Sequence, residues 1–360
     1  MKKLIITQMN KKLILIALLV SAAYTVKAAV INSDTTKTAG DAPLAISGSV
    51  DAYYKYDFSG HKNIPTSFAS DQNSLSIGMI DLGLKKKVGN ASFVGEVSFG
   101  PRSDESLPIA NTNYHIQNLY VSYDVTDKLN VTGGYMSTFI GYEVISPAGN
   151  FNYSTSYLFT NGPFQNAGVK ATYAFSDKVS LMAGIFNDEW NVYKSAHNVG
   201  AFGAQLFLAP AKGWTAYINL LTANNSTPTS GTEIDLTTAY QLTNAFKLGL
   251  NAADYSATNG AGTGGFEGVA LYPQLAVSRV VTLGLRGEYF KNKAGTYQSA
   301  GPAAGESVTG LTLTANIKAG PLTLTPEVRL DNGSKDMFMD SNAAATKSAS
   351  QFVLAAVYSF

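Results

Sequence analysis

Charged residues in this sequence recur at every second position, as Asp51, Lys55 and Asp57 do early in the chain and Arg286 and Glu288 do later. Side chains two residues apart lie on the same face of a strand. The spacing therefore predicts extended segments with acids and bases mixed along one face. Such a face can line an aqueous passage for ions, or it can supply the groups of a hydrolase site on a wall.

The number and positions of the histidines give little support to a hydrolase site. The chain has three of them, His61, His115 and His197, all in or beside segments that we expect to be loops. Neither a G-x-S-x-G nor an H-E-x-x-H motif occurs, and these are the local signatures of a serine nucleophile and a zinc hydrolase. A Ser–His pair brought together by folding remains the alternative, and we expect the protein not to be an enzyme.

We expect no cofactor. The sequence has no cysteine, which excludes disulfides and thiolate metal sites. Loop acids such as Asp188 with Glu189, or Asp336 with Asp340, could bind Ca²⁺ through their oxygens, but they lack the spacing of an EF-hand. Solvated loop charge is the favoured interpretation of these acids.

Composition excludes two further classes of protein. The net charge is +1, so no overall field attracts nucleic acid, and we expect no nucleic-acid partner. Charged residues make up 14% of the 360 residues, below the content of about 25% in typical soluble domains. Abundant Gly, Ser, Thr and Asn keep the chain too polar for a helical membrane protein.

Residues 1–28 have the pattern of a cleaved secretory signal peptide. Lysines precede an apolar run from Leu13 to Ala23, and Val26-Lys27-Ala28 provides a small-residue cleavage site. The run is shorter than the ~20 residues of a spanning helix, which disfavours a membrane anchor. Met9 begins a compact version of the same signal. We expect 29–43 to be a short periplasmic segment and 44–360 to be one β-domain.

Apolar and polar residues alternate with a period of two through most of this domain, as in Leu311-Thr312-Leu313-Thr314. The alternation predicts 16 strands, with 14 or 18 as alternatives. They are expected at 44–58, 74–88, 91–99, 116–125, 129–139, 164–175, 179–186, 201–209, 214–222, 233–242, 246–254, 266–278, 281–290, 308–319, 322–331 and 349–360. In 74–88 the apolar parity changes, which predicts a bulge near Met79.

The connections between these segments alternate between tight turns, such as Val88-Gly89-Asn90 and Gly320-Pro321, and longer loops rich in Gly, Ser, Asn and Pro. Outer-membrane barrels have this arrangement, with short periplasmic turns and long extracellular loops. Because lipid offers no hydrogen bonds, strands that cross it must close into a ring. The sequence therefore predicts an all-β fold, a transmembrane antiparallel up-and-down β-barrel.

The C-terminal segment predicts how this barrel closes. In SQFVLAAVYSF, Phe352, Leu354, Tyr358 and Phe360 share one face. We expect this strand to pair with the first one and to turn that face toward acyl chains, with Tyr358 and Phe360 in an aromatic girdle. Further girdle residues are expected at Tyr54, Tyr56, Phe58, Phe93, Phe99, Tyr123, Tyr135, Tyr173, Phe175, Trp214, Tyr240, Phe246 and Tyr289. We also expect the terminal strand, ending in Phe360, to engage the barrel-assembly machinery.

The opposite parity should face a water-filled bore, because 16 strands enclose more space than side chains fill. The expected pore-lining residues are Asp51, Lys55, Lys85, Glu96, Lys170, Asp235, Lys247, Arg286, Glu288, Lys318, Glu327 and Arg329, and Asp57, Lys87 and Asp331 share their parity. As a set they predict a polar and weakly selective pore. The alternative for any one of them is an ordinary lumen residue satisfied by water and neighbours.

The longest predicted loop, 140–163, has the composition of a segment that folds into the lumen, although capping of the mouth is the alternative. Its constriction residues would be Tyr142, Glu143, Asn150 and Tyr153. If the loop folds inward, they should face the basic wall residues Lys55, Lys85, Lys170 and Arg286 and set a transverse field.

The chain contains four stretches that are similar to those of a known family, GNFNYSTSYLFTNGPFQNAGVKATY, GIFNDEWN, SGSVDAYYKYDF and SFVGEVSFGPR. Through them it resembles the OmpL-like β-barrel porin family of Gram-negative envelopes, and the resemblance extends over most of the mature chain. The resemblance implies an outer-membrane channel for small solutes, and it supplies no binding residues. The position of the loop at 140–163 is similar in layout to the constriction loop of trimeric general porins, and this similarity of layout suggests a homotrimer.

Together these observations predict a porin of a Gram-negative outer membrane, in contact with lipid and lipopolysaccharide, that lets small hydrophilic solutes and ions diffuse passively. A channel specific for sugars or peptides is one alternative, because Tyr53, Tyr120 and Tyr217 could form an aromatic track on the inner face. An adhesin or receptor barrel that binds through its loops is the other. The short segment before Leu44 disfavours a plugged, energised transporter.

Overall fold

In the computed structural model the strands form one closed antiparallel barrel of 16 strands, as predicted. The structure describes residues 42–107, 114–195, 197–224 and 226–360. The predicted signal peptide, 1–28, lies outside the described residues, as does most of the predicted segment 29–43.

The 16 barrel strands agree closely in position with the sequence periodicity, whereas two further short strands and the two short helices were not predicted. The strands are β1 (Ala45–Asp57), β2 (Ser74–Val88), β3 (Ala91–Phe99), β4 (Ile116–Asp124), β5 (Leu129–Ser137), β6 (Gln165–Ser176), β7 (Val179–Asn187), β8 (Val199–Ala211), β9 (Trp214–Ala223), β10 (Gly231–Gln241), β11 (Phe246–Ala257), β12 (Gly265–Ala276), β13 (Val281–Lys293), β14 (Ser307–Ala319), β15 (Leu322–Gly333), β16 (Phe338–Met339), β17 (Ala345–Thr346) and β18 (Ser348–Ser359). The α-helices are α1 (Pro101–Ser106) and α2 (Tyr157–Asn161), and 3₁₀ turns lie at Pro147–Gly149 and Asn259–Ala261.

The two ends of the barrel differ in their connections. Seven turns of two to four residues join the strands at one end, which we call the short-turn end. The longer connections are all at the other end, the long-loop end, where β16 and β17 form a small separate hairpin. Among the described residues, no helix combines the length and the apolar character needed to cross a membrane.

The ring closes where the terminal strands meet. β1 pairs antiparallel with β18, with Tyr56 opposite Phe352 and Ser49 opposite Ser359. The Phe360 backbone N–H donates to the Gly48 carbonyl at 3.0 Å, and the Gly48 N–H donates back to the Phe360 carbonyl at 3.1 Å. No edge strand is left in the barrel, because every barrel strand has two partners.

The outer surface of the barrel is apolar. Leu75 is 87% exposed and Leu313 is 56% exposed, whereas the inward Asp57 is completely buried. Most of the predicted girdle aromatics are exposed on this outer surface, among them Phe58, Phe93, Phe99, Tyr123, Tyr173, Phe175, Trp214, Tyr289, Tyr358 and Phe360. This distribution suits lipid contact, because apolar side chains replace the charges that hydrocarbon penalises.

Tyr135 is the exception among those aromatics, and its prediction as a girdle residue is wrong. It is only 5% exposed, and its hydroxyl lies within hydrogen-bond distance of two acceptors, Gln165 at 2.9 Å and the Asn191 carbonyl at 3.1 Å. Its ring also contacts Tyr193 edge to face, with 4.4 Å between centroids. The loop after β7 therefore covers Tyr135, and strand periodicity alone does not reveal a covering loop.

The bulge predicted near Met79 is confirmed. The register between β1 and β2 shifts between Val50 and Ala52, which pair with Ile80 and Ile77. The Met79 N–H that the bulge releases from the ladder donates to the Asp51 carboxylate at 2.8 Å. An inward acid thus satisfies the backbone group that the irregularity exposes.

Candidate functional site

The segment 138–164, here called the inner loop, extends into the barrel from the end of β5. The Gly141 N–H donates to Asp235 on β10 at 3.1 Å, and the Asn152 amide donates to Thr314 on β14 at 2.7 Å. The Tyr153 hydroxyl donates to Asp51 on β1 at 2.5 Å. These contacts reach three well-separated parts of the wall, so the inner loop crosses the bore.

A buried set of five charged residues, here called the charge network, anchors the middle of the inner loop. Arg286 lies 3.0 Å from Glu143 of the loop and 3.3 Å from Glu288. Arg329 lies 3.1 Å from Glu288 and 2.8 Å from Asp331. Both arginine side chains are completely buried. Every cation in the network thus touches two carboxylates, as burial of a charge requires.

Carboxylates on the wall also hold the backbone of the inner loop. Glu327 accepts the N–H groups of Tyr153 at 2.9 Å and Ser154 at 3.1 Å. Glu288 accepts the N–H of Tyr157, the first residue of α2, at 2.8 Å. A carboxylate that accepts backbone N–H groups makes a charge-assisted bond, roughly twice as strong as a neutral one. The loop is therefore fixed in position through its main chain as well as its side chains.

Carbonyl groups of the same segment are held by the two arginines. Arg286 donates to the Ser154 carbonyl at 2.5 Å, and Arg329 donates to the Thr155 carbonyl at 2.7 Å. The guanidinium of Arg329 also lies over the Tyr157 ring, 5.1 Å from its centroid. The five donors of each guanidinium suit it to bridge carboxylates and carbonyls in this way.

Glycines on the inner wall make room for aromatic side chains of the inner loop. A Cβ placed on Gly284 would lie 2.0 Å from the Phe151 ring, and one on Gly249 would lie 2.3 Å from the Tyr142 hydroxyl. A Cβ on Gly203 would lie 2.5 Å from Phe139. Glycine inside a strand commonly marks the close approach of another group. These inward glycines are visible in the sequence, but we did not use them to predict where the aromatic side chains of the inner loop pack.

Apolar packing fills the long-loop end around this anchor. Tyr157 and Leu158 of α2 belong to a buried cluster to which the wall and several other loops contribute. Its further members include Ile64, Phe186, Trp190, Leu221, Tyr255, Phe266, Phe290, Val308 and Phe338. Tyr297 of the loop after β13 packs against this cluster, and burial raises its pKa to about 12, so its phenol stays neutral there. The described loops and the wall together pack the bore at this end.

Burial corrects part of the predicted pore lining. Seven of those residues lie on the inner face but are at most 7% exposed, so they contact the protein rather than a water-filled bore. They are Asp51, Lys55, Asp235, Arg286, Glu288, Glu327 and Arg329. The alternation correctly gave their face. It did not show that the inner loop and its neighbours would cover them.

The predicted partners of the inner loop also need correction. Of the four basic wall residues expected to face it, Arg286 is the one that hydrogen-bonds to it within the described part of the chain. Tyr153 meets Asp51, and Asn150 bonds to the Val144 backbone of its own loop at 2.6 and 2.9 Å. Tyr142 stacks on Tyr272, with 4.4 Å between ring centroids. The wall therefore holds the inner loop through acids as well as through Arg286 and Arg329, because the backbone N–H groups of the loop need acceptors.

Three cavities lie against the inner loop. One of about 550 Å³ lies between the loop and the short-turn end and is lined by Lys247 and Lys318. A second, of about 430 Å³, is lined by Lys170 and Tyr217. A third, of about 260 Å³, is lined by Glu96. Lys85 lies on the same inward parity near the end of β2 and is exposed. Five predicted pore-lining residues thus remain accessible to water, most of them lysines.

Ser195 and His197 are not arranged as a serine–histidine catalytic pair, and the loop acid Asp340 is engaged by its own loop. The Ser195 hydroxyl donates to Asp188, and the His197 ring lies 3.7 Å from the same carboxylate. A nucleophilic serine would instead donate to the imidazole. Asp340 caps the backbone N–H groups of Asn342 and Ala344. The described residues contain no group of three or more His, Asp or Glu side chains arranged to hold a metal ion.

Solved structures with the same fold are outer-membrane proteins. An anion-selective porin from Comamonas acidovorans aligns with a TM-score of 0.58 and 13% identity, over 88% of this chain and 99% of that one. Salmonella typhi OmpF in complex with daunomycin gives 0.56 and 11%, over 88% and 97%. The trimer form of Vibrio cholerae OmpT, folded in vitro, gives 0.54 and 14%, over 88% and 99%. At these identities the likeness shows the fold.

The family assignment comes from the sequence itself. The search of curated protein sequences gives no match. A family model described as "Putative beta-barrel porin-2, OmpL-like" matches residues 43–360, which is the whole barrel. With its closed ring of 16 strands and its inner loop, the chain belongs to this OmpL-like family of β-barrel porins.

Proposed function

We propose that the protein is an outer-membrane porin through which small hydrophilic solutes and ions diffuse passively, with weak selectivity, past a narrowing formed by residues 140–163. The observation that carries this proposal is the inner loop, which crosses the bore and bounds polar cavities of about 550 and 430 Å³. Family membership and the barrel fold support the channel. They favour it over an enzyme, and the arrangement of Ser195 and His197 agrees with that choice.

The packing at the long-loop end bears on how solutes pass. Because the described loops fill that end around α2, a path through the bore requires some of their side chains to move aside. We therefore expect a conductance well below that of an unobstructed barrel of this strand number. We also expect it to rise when the inner loop is loosened.

Planar-bilayer recording of the folded full-length protein tests the proposal. Folding is checked first on an SDS gel, where the unboiled barrel should run faster than the boiled chain. Discrete ohmic steps with little preference among neutral solutes are expected. Gly249→Val, which would push Tyr142 out of its recess, should enlarge the steps. A correctly folded barrel that never conducts would overturn the proposal and favour the adhesin or receptor alternative.

A substrate-specific channel for sugars or peptides is the second candidate. Aromatic pairs at the cavities favour it: Tyr142 stacks on Tyr272, and Tyr217 packs on Phe207 with 5.1 Å between centroids. Tyr53 does not extend this track, because it is 6% exposed and its hydroxyl donates to Asp71 at 3.0 Å. Saturable block of the current by one sugar or peptide class would select this candidate.

The membrane partners remain part of the proposal. We place the short-turn end in the periplasm and the long-loop end outside, by the general rule for such barrels. The apolar outer wall suits contact with lipid and lipopolysaccharide, and the terminal strand with Phe360 suits recognition by the assembly machinery. A homotrimer is in keeping with the trimer form named for the Vibrio cholerae neighbour. Neither a nucleic acid nor a cofactor, including loop-bound Ca²⁺, enters this function.

A further inference from the structure

The water-accessible charges of the short-turn half are mostly positive. Lys247 and Lys318 line the cavity of about 550 Å³, here called the larger cavity, and Lys170 lines the one of about 430 Å³. Lys85 has the same inward parity, three residues before the end of β2, and is exposed. We call these four residues the lysine set. Within the described part of the chain, none of them makes an ion pair or a side-chain hydrogen bond.

The acids that line the three cavities, and Asp124 at the short-turn end, are already engaged by other groups. Asp124, at the end of β4, lies 2.6 Å from Lys87. Glu143 lines the larger cavity, but one of its oxygens accepts from Arg286 at 3.0 Å and the other accepts the Ser156 N–H at 2.7 Å. Glu96 accepts from the Asn118 amide at 2.6 Å and is the one carboxylate of the third cavity without a cationic partner in the described chain.

The acids of the long-loop half are shielded from an ion in these cavities. Asp235 accepts from Asn219 at 2.6 Å and from Asn251 at 2.5 Å and is 1% exposed. Glu327, also 1% exposed, is surrounded by two backbone N–H groups of the inner loop and by the Thr314 hydroxyl. A solute would meet the lysines directly, whereas protein donors already occupy the oxygens of these acids.

Resting on the proposed function, we propose that the protein takes small anionic solutes, bound transiently in the larger cavity by Lys247 and Lys318. Neutral donors and acceptors complete the lining, among them Gln274, Thr282, Asn316 and Thr323. An anion there would exchange water for ammonium and hydroxyl or amide groups, and an ammonium attracts it over several ångströms in a confined polar space. Chloride, phosphate and small carboxylates fit this chemistry. The buried Arg286 and Arg329 do not contribute, because carboxylates neutralise them.

Reversal potentials in a KCl gradient test the preference. Near 0.1 M salt, where the Debye length is about 10 Å, the native channel should favour chloride over potassium by about 3- to 10-fold. The double variant Lys247→Gln/Lys318→Gln should bring this ratio close to unity, and Lys247→Glu/Lys318→Glu should favour potassium. A native channel that prefers potassium would overturn the proposal even though the porin function stood.

A matched control removes two lysines from the outer wall. Lys291 and Lys293 lie at the long-loop end, paired with Glu267 at 3.2 Å and with Asp254 at 2.7 Å. Lys291→Gln/Lys293→Gln changes the net charge by the same amount and should leave the reversal potential unchanged. An equal shift in both double variants would mean that overall charge sets the selectivity, and the assignment to the cavity would be wrong.

A binding measurement separates this proposal from the porin function. Isothermal titration of the detergent-solubilised barrel with inorganic phosphate at low salt should give a heat of binding that Lys247→Gln/Lys318→Gln abolishes and the control retains. A folded barrel that binds phosphate but never conducts would contradict only the channel. A folded barrel without phosphate binding, whether or not it conducts, contradicts the anion site.

Discussion

Both halves of the bore contain cationic side chains that point inward, but their surroundings differ. In the long-loop half, Arg286 and Arg329 are completely buried and each contacts two carboxylates. In the short-turn half, Lys247 and Lys318 line a cavity and have no acidic partner within the described chain. The two arginines join the inner loop to the barrel wall. The two lysines face a cavity that a solute can enter.

The comparison shows that inward parity does not by itself define a pore-lining residue. Strand alternation puts a charge inside the barrel, and the loops then decide whether water reaches it. Arg286 and Arg329 suit the buried half because their planar groups bridge carboxylates and carbonyls, whereas the compact, strongly hydrated ammonium groups of Lys247 and Lys318 suit the wet half. Removing a cation from the buried half should therefore lower stability, whereas removing one from the wet half should not.

Removal of a buried cation should give the largest effect. Arg286→Met leaves Glu143 without its cation in the charge network and leaves Glu288 with Arg329 alone. Breaking a buried pair typically costs about 3–5 kcal/mol. We expect the folded band on unboiled SDS gels to disappear at a lower temperature, and protease to cut the inner loop more readily.

Lys247→Met is the control for that change, because it removes a cation that faces a cavity. Its gel transition should stay near that of the native chain. If the two variants shifted the transition equally, the distinction between a packed half and a wet half would be wrong.

The strands and their faces were predictable because lipid and the barrel interior impose opposite demands on alternate residues. The predicted limits of β2 and β3 match the structure, and the bulge near Met79 appears where the apolar parity changes. Closure by β18 also follows, since an open edge has no hydrogen-bond partner in lipid. These are local consequences of a period of two.

The contacts of the inner loop were not predictable in the same way. Glu143 meets Arg286 across 143 positions of sequence, and nothing in the local pattern pairs them. The acids that receive the loop backbone, such as Glu327, look from the sequence like any other lumen charge. The inward glycines were the usable signal, because a strand gives up packing and β propensity at Gly249 or Gly284 only where another group needs the space.

Filling one of these recesses should have the second largest effect. In Gly284→Val the new Cβ would lie 2.0 Å from the Phe151 ring, so the two groups would overlap unless the ring moved. Overpacking of this kind costs about 1–3 kcal/mol, and displacement of Phe151 should enlarge the conductance steps.

The matched control lies three residues further along the same strand. Gly287 faces outward, and a Cβ there meets no atom within 4 Å. Gly287→Val should therefore leave both the gel transition and the single-channel current near native values. Equal currents in the two variants would show that the inner loop does not limit passage.

Loss of one hydroxyl at the wall should have a smaller effect. Tyr153→Phe removes the 2.5 Å hydrogen bond to Asp51. Of the two hydrogen bonds to Asp51 described above, only the one from the Met79 N–H then remains. A buried acceptor that loses a donor typically costs about 1–3 kcal/mol, and the remaining bond favours the lower part of that range. The gel transition should fall less than in Arg286→Met, and Tyr217→Phe, at a cavity wall, should hardly change it.

The smallest effect on stability should come from an ion pair on the outside of the barrel. Lys291 and Glu267 are 3.2 Å apart, and their side chains are 39% and 40% exposed. Solvent screens such a pair, and its loss usually costs about 0–1 kcal/mol, so Lys291→Gln should barely move the gel transition. The pair has the same chemical groups as a buried salt bridge, so this variant isolates the effect of surroundings. A drop as large as that of Arg286→Met would mean that burial does not distinguish the charges of this barrel.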